Sequence, residues 1–536
     1  MKEITQYKLI TFSVLFFALF YNFSFIKEFS KAYDLVGLNI IYFISVFVVF
    51  VFLNIFLFTL ISSRYSTKIF LILIFMVSSF VSYFMDTYNV VIDSEMIRNT
   101  LQTNLNESMD LFSLKLVLYV IFLGLIPSFL VYKSNIKYEG RKKELIKKLK
   151  VLLFSLVIIV VIIFSFSKFY ASFFREHKSL RFYMNPTYWV YSVGNYITEA
   201  VAPDITKFKI IGDDANIVPP LGEIDKKELI ILVVGEAARA DRFSLNGYEK
   251  QTNPLLEKED IVNFSNMYSC GTSTAVSVPC MFSFYTKDDY TYNKGISTEN
   301  VLDVLNNTKG VKILWRDNNS DSKGVALRVD YQDYKIPENN TICDNECRDE
   351  GMLVGLDKYI KENKGEDIFI VLHQMGNHGP AYYKRYPKEF EKFTPVCKTN
   401  ELEKCTQEEV SNTYDNAILY TDYFLSKVIN FLKPYSKNYE TAMLYMSDHG
   451  ESLGENGLYL HGMPYLIAPE NQKHIASFIW LGKGDIREDL DVDKLKSYSN
   501  KSFSQDNLFH TLLGLFEVET KVYNKEMDIL NDAKID

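Results

Sequence analysis

The chain has 536 residues, which is enough for two or three domains, and its net charge of −8 gives no basic field of the kind that attracts nucleic acid. Its mean hydropathy is close to zero. That average combines two unlike parts, because the first third is rich in Phe, Ile, Leu and Val and the remainder has the mixed composition of a soluble α/β protein. We therefore expect a membrane protein with no nucleic-acid partner.

Five apolar runs in the first third predict membrane-spanning helices. They lie near residues 9–26, 37–62, 69–85, 114–131 and 151–167. Each is about as long as the roughly 20 residues that cross a bilayer core. No small-residue cleavage site follows the first run, so we interpret it as a retained helix and not as a signal peptide. Residues 1–167 are thus expected to form a transmembrane domain with five helices.

A basic loop at residues 133–150 predicts the orientation of these helices. Lysines and arginines far outnumber acidic residues in this loop, which the positive-inside rule places in the cytoplasm. The alternative is an ordinary solvated helix face, but the loop lies between two apolar runs. The residues from about 168 onward are then expected on the far side of the membrane.

All of the cysteines lie after residue 269 and fall into close pairs. The six cysteines form the pairs Cys270/Cys280, Cys343/Cys347 and Cys397/Cys405. Six cysteines allow 15 disulfide pairings, and the sequence does not decide among them, although the clustering favours nearest neighbours. A cysteine zinc site is the alternative, but these spacings fit the common zinc-binding pairs poorly. Disulfides need an oxidising compartment such as the bacterial periplasm, which agrees with the predicted orientation.

The pattern after the apolar third predicts a connector followed by an α/β domain. Residues 168–225 are interpreted as the connector, with a linker signal at 217–222. From about 226 onward, apolar strands near 229–234, 311–315, 368–372, 441–446 and 476–481 alternate with helical stretches near 299–307, 350–363 and 407–433. This alternation predicts a parallel sheet with helices on both faces in a domain of residues 226–536. In such sheets, sites cluster beyond the carboxyl ends of the strands.

Residues with metal-binding chemistry follow four of these strands. They are Glu236, Asp317, the pair His373 and His378, and the pair Asp448 and His449. Adjacent Asp and His residues in a turn can supply one oxygen and one nitrogen ligand to Zn²⁺. Each residue also has an ordinary alternative, since a carboxylate after a strand often caps a helix and an Asp-His turn can be held by hydrogen bonds. His461 adds another imidazole in the nearby sequence LHGMP.

The segment 270–280, CGTSTAVSVPC, places a run of hydroxyl side chains between two cysteines. A hydroxyl at a helix N-terminus lies among free backbone N–H groups, which favour anions such as phosphate. Threonine is a poor nucleophile at neutral pH, and coordination to Zn²⁺ would lower the pKa of its hydroxyl. The alternative is a simple helix cap. The acidic and imidazole residues after the strands instead favour a metal-assisted transferase.

Six motifs in order carry a family resemblance. They occupy residues 235–239, 270–283, 315–320, 372–380, 447–452 and 460–465. Together they resemble the bacterial phosphoethanolamine transferases that modify lipid A and related envelope sugars, a family that includes the mobile colistin-resistance enzymes. The resemblance covers the whole chain. It implies an α-helical membrane domain with five helices in the bacterial inner membrane and a periplasmic α/β domain similar to alkaline phosphatases and sulfatases.

The resemblance also implies roles for single residues. Thr274 matches the family nucleophile, and Glu236, Thr274, Asp448 and His449 match the ligands of one catalytic Zn²⁺. His378 matches an imidazole that contacts substrate phosphate or a second zinc ion and serves in acid–base steps, and His461 matches another. The implied substrate-binding residues are Asn319, Ser320, Lys323, His378, Glu451 and His461. A bridge between Cys270 and Cys280 would clamp the nucleophile loop.

The implied reaction is a two-step transfer. Thr274 would attack the phosphorus of phosphatidylethanolamine, diacylglycerol would leave, and the phosphoethanolamine held on the enzyme would pass to lipid A or to another envelope glycan or protein. A phosphoglycerol transferase or phosphatase of the same superfamily is an alternative, whereas a sulfatase would need a Cys/Ser-x-Pro-x-Arg pattern that this segment lacks. A zinc-containing envelope sensor without catalytic activity is the alternative from another class, but a structural zinc site is normally closed by four protein ligands.

Overall fold

The computed structural model describes residues 3–103, 105–201, 208–218, 226–484 and 489–535, except for the side chains of 105–107. The chain forms two compact units. One contains Met1–Ile97 and Phe112–Ile197, and the other contains Arg98–Leu111 and Thr198–Asp536. Residues 202–207 and 219–225 of the predicted connector, including part of its linker signal, lie outside the described residues.

The α-helices include several whose bounds lie close to the stretches predicted at 37–62, 69–85, 114–131 and 407–433. In chain order they are α1 (Gln6–Phe20), α2 (Phe23–Ala32), α3 (Leu38–Ile61), α4 (Thr67–Tyr88), α5 (Ser94–Gln102), α6 (Leu105–Asp110), α7 (Leu114–Tyr119), α8 (Ile126–Lys133), α9 (Arg141–Ser165), α10 (Ser167–Glu176), α11 (Thr187–Val201), α12 (Thr274–Met281), α13 (Tyr292–Ile296), α14 (Val301–Asn307), α15 (Leu356–Glu362), α16 (Gln407–Leu432), α17 (Val492–Ser497) and α18 (Leu508–Leu515). A π-helical turn at Val120–Leu125 makes α7 and α8 one continuous rod.

Four helical rods among the described residues are long and apolar enough to span a membrane: α3, α4, α7 with α8, and α9. The first predicted run is instead broken into α1 and α2, whose axes differ by 56°. Asn22 lies at the break and its Nδ2 donates to the carbonyl of Phe17 at 3.0 Å, where the helix ends. The expectation of five membrane helices is therefore met only in part, since the described residues contain four candidate spans, or five if the bent pair is one span.

Seven strands of the second unit build one large sheet, and shorter strands pair in small sheets beside it. The strands of the chain are β1 (Ile4–Thr5), β2 (Ile136–Lys137), β3 (Asn216–Ile217), β4 (Lys227–Gly235), β5 (Ile261–Asn263), β6 (Met267–Tyr268), β7 (Val311–Asp317), β8 (Asp330–Asp333), β9 (Asp367–His373), β10 (Tyr439–Ser447), β11 (Ser452–Leu453), β12 (Tyr459–Leu460), β13 (His474–Ile475), β14 (Ser477–Leu481), β15 (Phe503–Ser504) and β16 (Val518–Glu519). The large sheet has the order β5-β14-β10-β4-β9-β7-β8.

The predicted parallel sheet is correct for its centre and wrong at one strand. β10, β4, β9, β7 and β8 are parallel neighbours, whereas β14 runs antiparallel to β10. Residues 448–476 between β10 and β14 contain short strands and single helical turns. Parallel neighbours are usually joined by a crossover helix, whereas this segment, all of it among the described residues, contains no α-helix and returns the chain in the opposite direction.

The central strand β4 is buried on both faces. Ile230, Leu232 and Val234 pack on one side among residues of α12, α14 and α18. Leu229, Ile231 and Val233 pack on the other side with α15 and α16. Helices on both faces explain why the predicted strands are continuous apolar runs without alternation.

The cysteines join nearest neighbours within the second unit. The disulfides are Cys270–Cys280, Cys343–Cys347 and Cys397–Cys405. This is the pairing that the clustering of the cysteines favours. The first bridge spans α12 and the loop before it.

Candidate active site

The parallel strands bring the predicted site residues to one edge of the sheet. β4 ends at Gly235, directly before Glu236, and β10 ends at Ser447, directly before Asp448 and His449. Ser447 is the register partner of Gly235. The two motifs that were predicted to bind metal therefore leave neighbouring strands side by side, as the carboxyl ends of parallel strands require.

Three side chains form a compact, fully buried donor cluster. One donor atom each from Glu236, Asp448 and His449 lies within 4.8 Å of the others. Nε2 of His449 is 3.6 Å from Oε1 of Glu236 and 3.3 Å from Oδ2 of Asp448. The other oxygen of Asp448, Oδ1, accepts from the backbone N–H of Ala237 at 3.0 Å, which fixes the carboxylate against the turn after β4.

Thr274 enters this cluster from the first residue of α12. Its Oγ1 donates to Oε2 of Glu236 at 3.1 Å and lies 3.3 Å from Nε2 of His449. Ser273 has extended backbone angles and precedes the helix, so the predicted position of the hydroxyl at a helix N-terminus is confirmed. The side chain of Thr272 donates to the carbonyl of Met463 at 2.6 Å, which ties the loop before α12 to the loop that carries His461.

These residues fit a single divalent cation. Two carboxylates, one imidazole and one hydroxyl are the hard and borderline donors that a catalytic zinc site uses. Oδ2 of Asp448 is buried and accepts no hydrogen bond from the residues that the structure describes. A buried carboxylate oxygen without such a partner is costly unless it binds a cation. All four residues that the sequence predicted as metal ligands thus meet at one point.

A second group of imidazoles lies beside the first. Nδ1 of His461 is 3.0 Å from Oε2 of Glu451, and the ring centroids of His461 and His449 are 4.2 Å apart. The ring of His378 lies 6.1 Å from that of His461. Loss of solvent, together with nearby Arg385, lowers the pKa of His378 well below its usual range, so this imidazole is neutral near pH 7.

Gly450 stands between His449 and Glu451 in the sequence, at a point where two loops are in contact. A Cβ at this position would lie 2.1 Å from the backbone oxygen of Asn471. The backbone cannot move away without displacing the site residues on either side, so the close approach requires glycine here.

The predicted headgroup residues have different surroundings. Asn319 is fully buried, and its Nδ2 donates to Oε2 of Glu236 and to the carbonyl of Gln374, both at 2.8 Å. Ser320 follows it, and its backbone N–H donates to Oδ1 of Asn319 at 2.6 Å. Nζ of Lys323 donates to the carbonyls of Ser320 at 3.1 Å and of Gln102 at 3.3 Å. Asn319 is thus in direct contact with a predicted metal ligand.

Two buried charged residues that support the site were missed by the sequence analysis. Arg239 stands in the first motif, three residues after Glu236, and this proximity was the available signal. Asp349 has no such signal, yet its carboxylate accepts from the backbone N–H groups of Met375 at 2.8 Å and Gly376 at 3.1 Å, and from Asn318 at 2.8 Å. Burial raises the pKa of Asp349.

The fold and the site together define a sulfatase-like domain that follows candidate membrane spans. Residues 228–518 match the sulfatase family, and residues 49–201 match the family described as phosphoethanolamine transferase EptA/EptB.

Related proteins narrow this class. The phosphatidylethanolamine transferase Mcr-2 of Escherichia coli is 45% identical over 528 residues, which is 96% of each chain. The phosphoethanolamine transferase EptA of Escherichia coli K12 is 40% identical over 520 residues, 96% of this chain and 94% of that one. The structure of the integral membrane protein lipooligosaccharide phosphoethanolamine transferase A from Neisseria meningitidis matches with a TM-score of 0.94 and 36% identity over 100% of both chains. The chain belongs to the phosphoethanolamine transferases, which confirms the resemblance carried by the six motifs.

Proposed function

We propose that this enzyme moves phosphoethanolamine from phosphatidylethanolamine to lipid A at the periplasmic face of the inner membrane. The relative Mcr-2 is named for the lipid donor, and the Neisseria relative for a lipooligosaccharide acceptor. In the proposed arrangement, residues 1–167 anchor the enzyme with five spans, 168–225 connect, and 226–536 carry out the chemistry. Donor and acceptor are both lipids, so an anchored site avoids a search through bulk water.

The position of Thr274 is the observation that carries this proposal. Its hydroxyl lies at the N-terminus of α12, within 3.3 Å of donor atoms from Glu236 and His449. A Zn²⁺ ion held by Glu236, Thr274, Asp448 and His449 would lower the pKa of the threonine hydroxyl and offset charge on the phosphoryl oxygens. The N-terminus of α12 adds the positive end of a helix dipole to the place where those oxygens bind.

The proposed first step forms a bond between Oγ1 of Thr274 and phosphorus and breaks the bond from phosphorus to the diacylglycerol oxygen. The threonine proton leaves, and the diacylglycerol oxygen gains one. In the second step an acceptor oxygen attacks phosphorus, gives up its proton, and frees Thr274. His378 and His461 are proposed to move these protons, because imidazole is the side chain most often used as a general acid or base.

The remaining predicted residues are proposed to hold the headgroup or the site itself. Ser320, Lys323 and Glu451 stay our candidates for the phosphoethanolamine headgroup, with Lys323 opposite the phosphate and Glu451 opposite the ammonium. Asn319 is proposed to act on Glu236, to which it donates at 2.8 Å, in addition to lining the pocket. A side chain that orients a metal ligand in this way commonly changes metal affinity when it is removed.

The test uses full-length enzyme, loaded with zinc, and a fluorescent phosphatidylethanolamine. Thr274→Ala should keep its fold and release no fluorescent diacylglycerol, whereas Thr308→Ala, a matched change outside the site, should behave like the unaltered enzyme. Full activity of Thr274→Ala would contradict the proposed nucleophile.

The acceptor needs its own measurement. Lipid A from bacteria that express the enzyme should gain the mass of one phosphoethanolamine, and cells with Thr274→Ala should not show it. Donor cleavage with unmodified lipid A would contradict lipid A as the acceptor. Free phosphoethanolamine in its place would indicate a phosphatase.

A further inference from the structure

Arg385 joins the backbone of His378 to two carboxylates. Its Nε donates to the carbonyl oxygen of His378 at 2.7 Å, and its side chain is only 2% exposed. Nη2 lies 2.6 Å from Oδ2 of Asp110, and Nη1 pairs with Glu346. A guanidinium can serve three acceptors at once because its N–H groups are fixed in a planar fork. Each of the three guanidinium nitrogens of Arg385 therefore contacts one of these acceptors.

Asp110 is fixed within the second unit, although in sequence it lies between two candidate membrane spans. Its Oδ1 accepts from Nζ of Lys384 at 2.5 Å, and its backbone oxygen accepts from Nδ2 of Asn400 at 2.7 Å. Its side chain is 8% exposed. A carboxylate that is buried between two cations binds them more tightly and more directionally than an exposed pair does. The segment Arg98–Leu111 thus contributes an anion that orients Arg385.

The same segment also contacts other residues of the second unit. The guanidinium of Arg98 pairs with Glu199 at 2.6 Å and lies 4.1 Å from the centre of the Tyr292 ring. The backbone oxygen of Gln102 accepts from Lys323. Arg98, Gln102 and Asp110 of this segment are therefore each held by other residues of the second unit.

The backbone of His378 is held by two hydrogen bonds, whereas its Nδ1 is buried. Nδ1 has no hydrogen-bond partner among the residues that the structure describes. The backbone N–H donates to the carbonyl of Met375 at 3.3 Å, which is a long bond. The bond from Arg385 to the carbonyl is therefore the shorter of the two hydrogen bonds that hold the backbone of His378.

We propose that Arg385, oriented by Asp110, is a positioning residue that holds His378 for phosphoryl transfer. The inference rests on the proposed function, in which His378 moves protons at the reacting phosphate. Arg385 acts through the backbone of His378 and not on the substrate. Lysine at this position would keep the charge but lose the fork, so it could not hold His378 and both carboxylates together.

A double-mutant cycle tests this inference on purified, full-length, zinc-loaded enzyme with fluorescent phosphatidylethanolamine. The variants are Arg385→Lys and His378→Ala, alone and combined, with kcat, KM and melting temperature measured for each. Arg328→Lys is the matched control, because Arg328 makes a two-bond pair with Asp303, at 2.6 Å for both bonds, outside the site.

Arg385→Lys should lower kcat by about tenfold or more, with KM changed by less than about threefold, because misplaced catalytic groups slow the chemical step. In the His378→Ala background the same change should lower kcat by less than about twofold, since residues that act as a unit are not additive. The Arg328→Lys control should keep the original kcat.

Equal losses in both backgrounds would overturn the proposal, because Arg385 would then act on the fold and not on His378. Full activity of His378→Ala alone would contradict the proposed function of His378, which is a separate failure. If Arg385→Lys does not fold, Asp110→Asn takes its place in the cycle with the same expected pattern. If the activity of His378→Ala is too low for this comparison, the kcat of Asp110→Asn is used instead. A lower kcat at an unchanged melting temperature supports the proposal, and an unchanged kcat overturns it.

Discussion

Replacement of Arg239 should weaken the connection between the two loops that carry the donor cluster. Arg239 is 4% exposed. Its Nε and Nη2 donate to the two oxygens of Asp241 at 2.8 and 2.6 Å. Nη1 donates to the backbone oxygen of Glu451 at 3.1 Å and to Oε1 of Glu455 at 2.5 Å. Arg239 thus connects the turn after β4 with the loop after β10.

The expected loss in the free energy of unfolding depends on how far water can replace Arg239 at each of its acceptors. The side chains of Asp241 and Glu455 are 54% and 35% exposed, so water replaces part of each interaction and each pair contributes about 0.5–1 kcal/mol. The backbone oxygen of Glu451 loses its buried donor, which costs about 1–2 kcal/mol. Arg239→Ala should therefore lower the free energy of unfolding by about 3 kcal/mol, and Arg239→Lys by about half as much because one ammonium nitrogen replaces three donating nitrogens.

Urea unfolding of the full-length protein in detergent measures this loss. A chelator is added so that bound metal does not add to the stability of the native state. Arg328→Ala is the control, since the Arg328 side chain is 38% exposed and its pair with Asp303 should contribute less than about 1 kcal/mol. Equal losses for Arg239→Ala and Arg328→Ala would refute the reasoning.

Two further predictions concern metal binding and acid stability. Asn319→Ala should weaken zinc binding by about 10–100-fold, because the amide that orients Glu236 is lost; zinc titration against a competing chelator measures it, and unchanged affinity would contradict this role. Burial lowers the pKa of His510 to about 4, and its Nδ1 accepts from the backbone N–H of Asn524 at 3.2 Å. Unfolding restores an ordinary pKa near 6.5, so the unfolded chain binds the proton first and stability falls as the pH drops from about 6.5 to 4. His510→Gln should flatten this part of the curve of unfolding free energy against pH, and an unchanged curve would show that another group is responsible.

The centre of the fold was predictable because its physical signal is local. The run around Leu229–Val234 is apolar at every position, as a strand covered on both faces must be, and the residues just after such strands converge at one sheet edge. The sequence alone therefore predicts that Glu236, Asp448 and His449 lie close together. The family resemblance added Thr274, which no periodicity would have selected from its neighbouring hydroxyls.

The features that could not be predicted are the direction of a strand, a bend between two helices, and a contact between residues far apart in the sequence. Apolar composition does not encode strand direction, so the antiparallel β14 was missed. The run that contains Asn22 is apolar on both sides of this residue. The 56° bend between α1 and α2 could therefore not be predicted from one polar side chain. The contact between Asp110 and Arg385 joins residues 275 positions apart, and nothing in one sequence marks such a pair.

The most direct test of the account is peptide mass spectrometry of the enzyme after incubation with phosphatidylethanolamine in the absence of an acceptor. One phosphoethanolamine is expected on the peptide that contains Thr274, and none on that peptide in Thr274→Ala. Cleavage of the lipid with Thr274 unmodified and the group on another residue, or on none, would contradict the covalent mechanism at its centre.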